Sequence, residues 1–323
     1  MKLVIIGAGA IGGTIGAHMA RAGHDITLCD ADRDHVDAIR RDGLRIEGPV
    51  EAFTVRIPAI TPDELPDTID HAIVAVKSLH TAAAAELLRD RLSPTGYVLT
   101  VQNGLTADAL ADAVGPARVI SSFVNFGADV MGPGRIMQGN VATFRVGELE
   151  PGRITDRVRQ LAAALPYAEA TDNVLGYLWG KEVYGAMLWT GAVSDLPIAD
   201  TLERAEYRPL MLAIAREVLA QAPVTVKGFD GFEPADLEGS LDRLAAFNRR
   251  SAKTHSGIYR DLAVRRRKTE VDEVHKDIQG PAFDLVVDMI HDIEQGRRVC
   301  EVANLDELAV AVTALRPATS EGD

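Results

Sequence analysis

Gly7-Ala8-Gly9-Ala10-Ile11-Gly12 has the spacing G-x-G-x-x-G, and its flanks restrict what this chain can fold into. Before it, "KLVII" (2–6) is a short apolar run suited to a strand buried on both faces. After it, small and apolar residues recur at helical spacing as far as Gly23, which fits a helix stop. A second strand, "DITLCD", then ends at Asp30. Strand, glycine turn, helix and strand in this order form the βαβ unit of a dinucleotide-binding, Rossmann-like fold. Gly7 permits the tight turn, Gly9 lets the backbone approach a pyrophosphate, and Gly12 lets helix and strand close together. Ala8, Ala10 and Ile11 complete the expected binding loop, with the helix N-terminus offering N–H groups and a positive dipole end.

Asp30 stands where an acidic side chain accepts hydrogen bonds from both ribose hydroxyls and repels a 2′-phosphate. NAD is therefore expected in preference to NADP. Arg33, three residues on, pulls the other way, because a guanidinium there is within reach of a phosphate.

The alternation continues downstream. "HAIVAVKS" (71–78) and "GYVLTVQNG" (96–104) are further strands around a helix at "TAAAAELLRDRL", and 117–128 extends the pattern. Segment 129–148, with "GPG", "QGN" and "VGE", reads as a hairpin or edge strands. Beyond about residue 168 the strand signal fades. Helices are expected over 174–194, 201–222, 234–250, 252–275, 281–295 and 304–314, with a loop-like break at 223–236 and a frayed tail from Arg316. The expected architecture is α/β: a Rossmann-like parallel-sheet domain over 1–168 and an all-helical substrate and dimerisation domain over 169–323.

A formal net charge of -13 argues against a phosphate-backbone binder, so no nucleic-acid partner is expected. The basic run Arg265-Arg266-Arg267-Lys268 reads by default as a solvated helix face. Cys29 and Cys300 make neither a disulfide framework nor a zinc site, and a reducing cytoplasm suits them. No metal-ligand spacing and no run long enough for a membrane span is present.

One lysine interrupts the apolar run "YLWGKEVYGAMLW" (177–189). An ammonium in such a setting is costly unless it is paired or used. By residue type alone Lys181 is a snorkelling cation, half of an ion pair, or a proton donor.

With "GAGAIG", "AVKS", "VQNGL", "WGK", "HSGIYRDLAVRRRKTEVD" and "ANLDEL" in this order, the chain resembles the ketopantoate reductase (2-dehydropantoate 2-reductase) family over nearly its whole length. The resemblance implies that a nicotinamide cofactor delivers hydride to a 2-oxo acid in a cleft between the two domains. It further implies that Lys181 is the catalytic lysine, that Asn103 contacts substrate and nicotinamide, that Lys77 lies near the cofactor, and that Glu270 is the glutamate of the C-terminal motif. The chemistry agrees: a ketone accepting hydride becomes an alkoxide that needs a proton donor or a preorganised cation. Each residue also has a plainer reading. Lys77 is a strand-end cation, Asn103-Gly104 a turn dipeptide, Glu270 a partner for a nearby arginine, and His255 and His275 surface or interface histidines.

The departures bear on substrate. The family carries asparagines four and eight residues after its lysine; here those positions are Gly185 and Trp189, expected to line the substrate site. A family serine four residues before Asp261 becomes Gly257, with Ser256 adjacent as the expected substrate contact. The stretch from Asp261 to Glu270 is also one residue longer than in the family pattern. Loss of two amides points to the same reaction on a small carbonyl or alcohol substrate other than ketopantoate, larger or less polar. Alternatives are a 2-dehydropantoate 2-reductase proper, an imine- or opine-type dehydrogenase, and a non-catalytic dinucleotide-binding protein. Long amphipathic helices in the second half make a homodimer the expected assembly.

Overall fold

The computed structural model describes residues 1–250 and 254–315. The tail from Arg316, and the start of the helix expected at 252, lie outside the described residues. The chain divides into two compact units, Met1–Leu175 and Gly176–Asp323.

Strands of the first unit are β1 (Lys2–Ile6), β2 (Asp25–Cys29), β3 (Leu44–Glu47), β4 (Phe53–Val55), β5 (Ala59–Ile60), β6 (Ile69–Val74), β7 (Leu92–Thr100), β8 (Val119–Val124), β9 (Ala128–Gly132), β10 (Arg135–Gln138), β11 (Phe144–Glu148) and β12 (Ala168–Ala170). Between them run helices α1 (Ala10–Arg21), α2 (Arg33–Asp42), α3 (Thr81–Arg89), α4 (Ala107–Val114) and α5 (Asp156–Ala164). The main sheet has the order β12-β11-β8-β7-β6-β1-β2-β5. From β5 to β8 every pairing is parallel. Those six strands, ranked along the chain, give the doubly wound order 3-2-1-4-5-6. Beyond them, β11 is antiparallel to β8 and parallel to β12.

Strand β1 shows why an uninterrupted apolar run belongs at the centre. Leu3 and Ile5 enter the layer that holds Ile15 and Met19 of α1. Val4 and Ile6 enter the opposite layer with Ala84 and Leu88 of α3 and Leu110 of α4. Burying each such large side chain contributes roughly 1.5–3 kcal/mol, and a polar residue at any of them would leave one layer incomplete.

A second sheet, β4-β3-β10-β9, corrects the reading of 129–148 as only a hairpin or edge strands. The β9–β10 hairpin is there, but β10 also pairs in parallel with β3. Strands β3 and β4, short and half-polar, gave no sequence expectation.

In the second unit, α6 (Val174–Ala192) buries Leu178, Trp179, Val183, Tyr184, Ala186 and Met187. A helix apolar on nearly all sides is a core helix, which accounts for the almost continuous apolar run. Helices Ile198–Glu203, Arg208–Leu219, Leu237–Arg249, Val271–Asp277, Pro281–Glu294 and Val302–Ala314 surround the rest of this unit. Among its described residues there is no strand, only an isolated bridge between Phe229 and Phe232.

Two helix expectations need correction. The span 201–222 is two helices broken at 204–207, because Pro209 suits a first helical turn and not an interior. Within 252–275 the chain forms a turn of helix at Gly257–Tyr259, a π-helical segment at Arg260–Arg265, and a separate helix from Val271. Arg266, left-handed at φ 49°, ends the π segment.

Candidate active site

The glycine loop leaves the carboxyl end of β1, beside the loop that leaves β6. At Gly7 the backbone is left-handed (φ 96°), and a Cβ there would lie 2.8 Å from the Ala75 carbonyl carbon and the Val76 nitrogen. At Gly12 a Cβ would sit 2.0 Å from the Gly7 carbonyl oxygen. Gly9, the N-cap of α1, is different: a Cβ there would meet no atom within 4 Å. Two glycines thus close the turn while the third faces open space. Ala8 is buried, and Ala10 and Ile11 begin α1.

Asp30 follows β2 and reaches back to this loop. Its Oδ2 accepts from the Ala8 N–H at 2.7 Å and its Oδ1 from the Asp32 N–H at 2.9 Å. The carboxylate is therefore fixed beside the glycine turn, with lone pairs to spare for hydroxyl donors. Arg33 is exposed and pairs with Asp63 at 3.4 Å, so an acid already offsets its charge. The cradle, the helix N-terminus and the acidic residue together fit a dinucleotide.

Lys77 is exposed just beyond β6, and Asn103 is exposed beyond β7, ahead of left-handed Gly104 (φ 81°). The glycine loop, Asp30, Lys77 and Asn103 all follow the carboxyl ends of parallel strands, where ligands bind in open α/β sheets. Gln102, missed in the sequence reading, braces two of these loops. Buried, it donates through Nε2 to the Val76 carbonyl at 2.9 Å and to Thr81 Oγ1 at 2.8 Å. Its signal was a polar residue directly after an apolar strand.

In the second unit, α6 presents Tyr177, Lys181, Gly185 and Leu188 as partly accessible among buried neighbours. These positions fall along one helix face. A Cβ at Gly185 would meet nothing within 4 Å, so the turn after Lys181 offers space. Trp189 is buried at 7% exposure, and the accessible stripe continues through Leu188 instead. Burial lowers the Lys181 ammonium to about 8, against a smaller opposing pull from the Glu182 carboxylate. Glu182, also missed, is buried next to it. Desolvation pushes its carboxyl up to about 7, with Asp277 adding in the same direction and Lys181 opposing. An acid beside a lysine within an apolar run was the available signal.

Ser256 is buried and caps the following turn, its Oγ accepting from the Tyr259 N–H at 3.1 Å. Glu270 opens the helix Val271–Asp277, and its approach is fixed one residue earlier: Thr269 donates its N–H and its hydroxyl to Glu294 Oε1 at 2.7 and 2.6 Å. The basic run is ion-paired, Arg265 and Arg267 to Asp261 and Lys268 to Asp272. His255 stacks on Tyr259 at 4.5 Å, and His275 pairs with Asp284 at 2.8 Å. Among the described residues no group of three or more His, Cys, Asp or Glu side chains is placed to hold a metal, and no helix is long and apolar enough to cross a membrane.

Residues 3–151 match the family described as ketopantoate reductase PanE/ApbA. A 2-dehydropantoate 2-reductase of Streptococcus pyogenes serotype M6 is 25% identical over 283 residues, 85% of this chain and 89% of that one. One from Pyrococcus abyssi is 31% identical over 195 residues, 58% of this chain and 62% of its own. Among solved structures, a PanE/ApbA family ketopantoate reductase from Ralstonia eutropha JMP134 is 26% identical at a TM-score of 0.77, covering 92% of this chain and 99% of that chain. A D-mandelate dehydrogenase bound to NADH and anilino(oxo)acetate shares the fold at a TM-score of 0.79 and 20% identity, over 93% of this chain and 100% of that one. With the doubly wound sheet, the glycine cradle and the lysine-bearing helix in place, residues 3–151 match the ketopantoate reductase PanE/ApbA family, and the chain, similar over most of its length to 2-dehydropantoate 2-reductases, is an oxidoreductase.

Proposed function

We propose that this chain reduces a ketone, of the 2-oxo acid type, to the secondary alcohol, with Lys181 as proton donor and with a substrate other than ketopantoate. The observation that carries the reading is the stripe on α6, where a lysine on a buried apolar helix is followed one turn later by empty space at Gly185. The nicotinamide nucleotide, when bound, supplies the reducing equivalent. Residues 7–12 would hold its pyrophosphate, Asp30 its ribose, and Lys77 would lie beside it. Asp30, with Arg33 already paired, favours NAD over NADP. Lys181 gives its proton to the carbonyl oxygen as that oxygen becomes an alkoxide. Asn103 and Glu270 are proposed to hold the substrate and the lysine, respectively. Ser256 and Trp189 are proposed to bound the substrate end of the site. A 1–168 and 169–323 division of labour, a homodimer and a cytoplasmic setting complete the reading.

The direction of the pH dependence follows from the lysine. Reduction needs the ammonium, so kcat/KM for reduction is expected to be level below pH 8 and to fall tenfold per unit well above about 8. Oxidation of the alcohol needs the free amine and should rise over the same range. Steady-state rates in both directions, with NADH or NADPH and the best substrate from a panel of 2-oxo acids, test this. Absence of nucleotide-dependent turnover with every oxo acid, ketone and alcohol tried would sink it.

A further inference from the structure

The glycine loop is held from two sides, and the second holder is a histidine. Ala8 donates its N–H to Asp30, and its carbonyl oxygen lies 3.0 Å from Nε2 of His35. His35 stands in the first turn of α2, with its ring buried at 4% exposure. From the other side, the Gly134 N–H, in the β9–β10 turn, lies 3.1 Å from Nδ1 of the same ring. A backbone N–H only donates, so Nδ1 is the acceptor and Nε2 carries the proton donated to Ala8. Both ring nitrogens are satisfied in one neutral tautomer and in no other protonation state. A second proton would sit on Nδ1 and point at the Gly134 N–H, losing one hydrogen bond and setting two donors against each other.

Asp30 accepts from Ala8 and Asp32, and Asp32 caps α2 by accepting from the His35 N–H at 3.1 Å. Next to Gly134, Arg135 is paired with Glu47 at 2.8 Å. The glycine loop itself carries no charged side chain.

We propose that His35 is a positioning residue of the nucleotide site, a clamp that fixes the Ala8 peptide, and with it the glycine loop, only in its neutral Nε2–H form. The proposal rests on the dinucleotide reading above. It makes nucleotide affinity depend on a group that itself touches no nucleotide.

The test is the affinity for NADH, by calorimetric titration at pH 8, for the wild type, His35→Ala and His35→Gln. Thermal melting without nucleotide is recorded alongside. A glutamine amide can donate to the Ala8 carbonyl. His35→Gln is expected within about threefold of wild type and His35→Ala about tenfold weaker. A merely structural histidine would lower the melting temperature of both variants and leave His35→Gln no better at binding NADH than His35→Ala. The clamp is overturned by wild-type affinity in His35→Ala, or by an affinity in a well-folded His35→Gln as weak as that of His35→Ala. A wild type that binds neither NADH nor NADPH overturns the dinucleotide reading and the clamp with it. Binding that His35→Ala leaves untouched overturns the clamp alone.

Discussion

Lys181→Ala is expected to lower kcat for carbonyl reduction by roughly 10²–10⁴-fold, the usual contribution of a positioned acid or base, while NADH affinity stays within about threefold. The reason is the separation of roles along the chain. The proposed nucleotide cradle is built from residues 7–12 and Asp30, whereas Lys181 lies on α6, in the other compact unit. Two further variants separate proton transfer from simple charge. Lys181→Met keeps the length of the side chain without the ammonium and should match the alanine variant. Lys181→Arg keeps a charge but does not release its proton at accessible pH, so it should recover little of the rate. Near-normal kcat in Lys181→Ala would remove the lysine from the mechanism.

Gly9→Ala and Gly12→Ala are expected to fail in opposite ways. A methyl at position 9 meets no protein atom within 4 Å, and the backbone there (φ -65°) suits an L residue. The melting temperature should therefore stay within a degree or two of wild type. NADH affinity should fall by about a hundredfold, because the methyl occupies the space through which the backbone approaches a pyrophosphate. At position 12 a methyl would sit 2.0 Å from the Gly7 carbonyl oxygen and 2.8 Å from the Ala75 Cβ. Neither atom is the end of a flexible chain. Overpacking of this kind costs roughly 1–3 kcal/mol or more, so Gly12→Ala should melt several degrees lower. Melting curves and NADH titrations on the two proteins decide the matter. Unchanged affinity in a well-folded Gly9→Ala would show that the open side of the loop is not a phosphate cradle.

The parts legible in the sequence were those whose cause is local. The strand, glycine turn and helix over 2–23 are set by neighbours a few residues apart, and β1 needed only its own apolar run to be recognised. The second sheet was not legible, because β3 and β4 are three or four residues long and the partner of β3 is β10, far along the chain. Pro209 did announce the break before Arg208–Leu219, and the apolar spacing on both sides masked it. At the candidate site, the identity of Lys181 and Gly185 was readable. That the accessible stripe runs to Leu188 while Trp189 is buried was not, since i+7 and i+8 differ only in what packs over them. Gln102, Glu182, Glu294 and His35 act through contacts that residue type does not disclose.

Whether the same reaction runs on a changed substrate is decided by one ratio: kcat/KM for ketopantoate against kcat/KM for 2-oxo acids with branched or aromatic side chains, with NADH in excess. Where the family resemblance implies an amide four residues after the lysine, this chain has the open space at Gly185. A site lacking such a donor gains little from a hydroxyl on its substrate. The expected result is a preference of at least about tenfold for a bulkier, less polar oxo acid. Ketopantoate turned over as the preferred substrate would show that the substrate is unchanged.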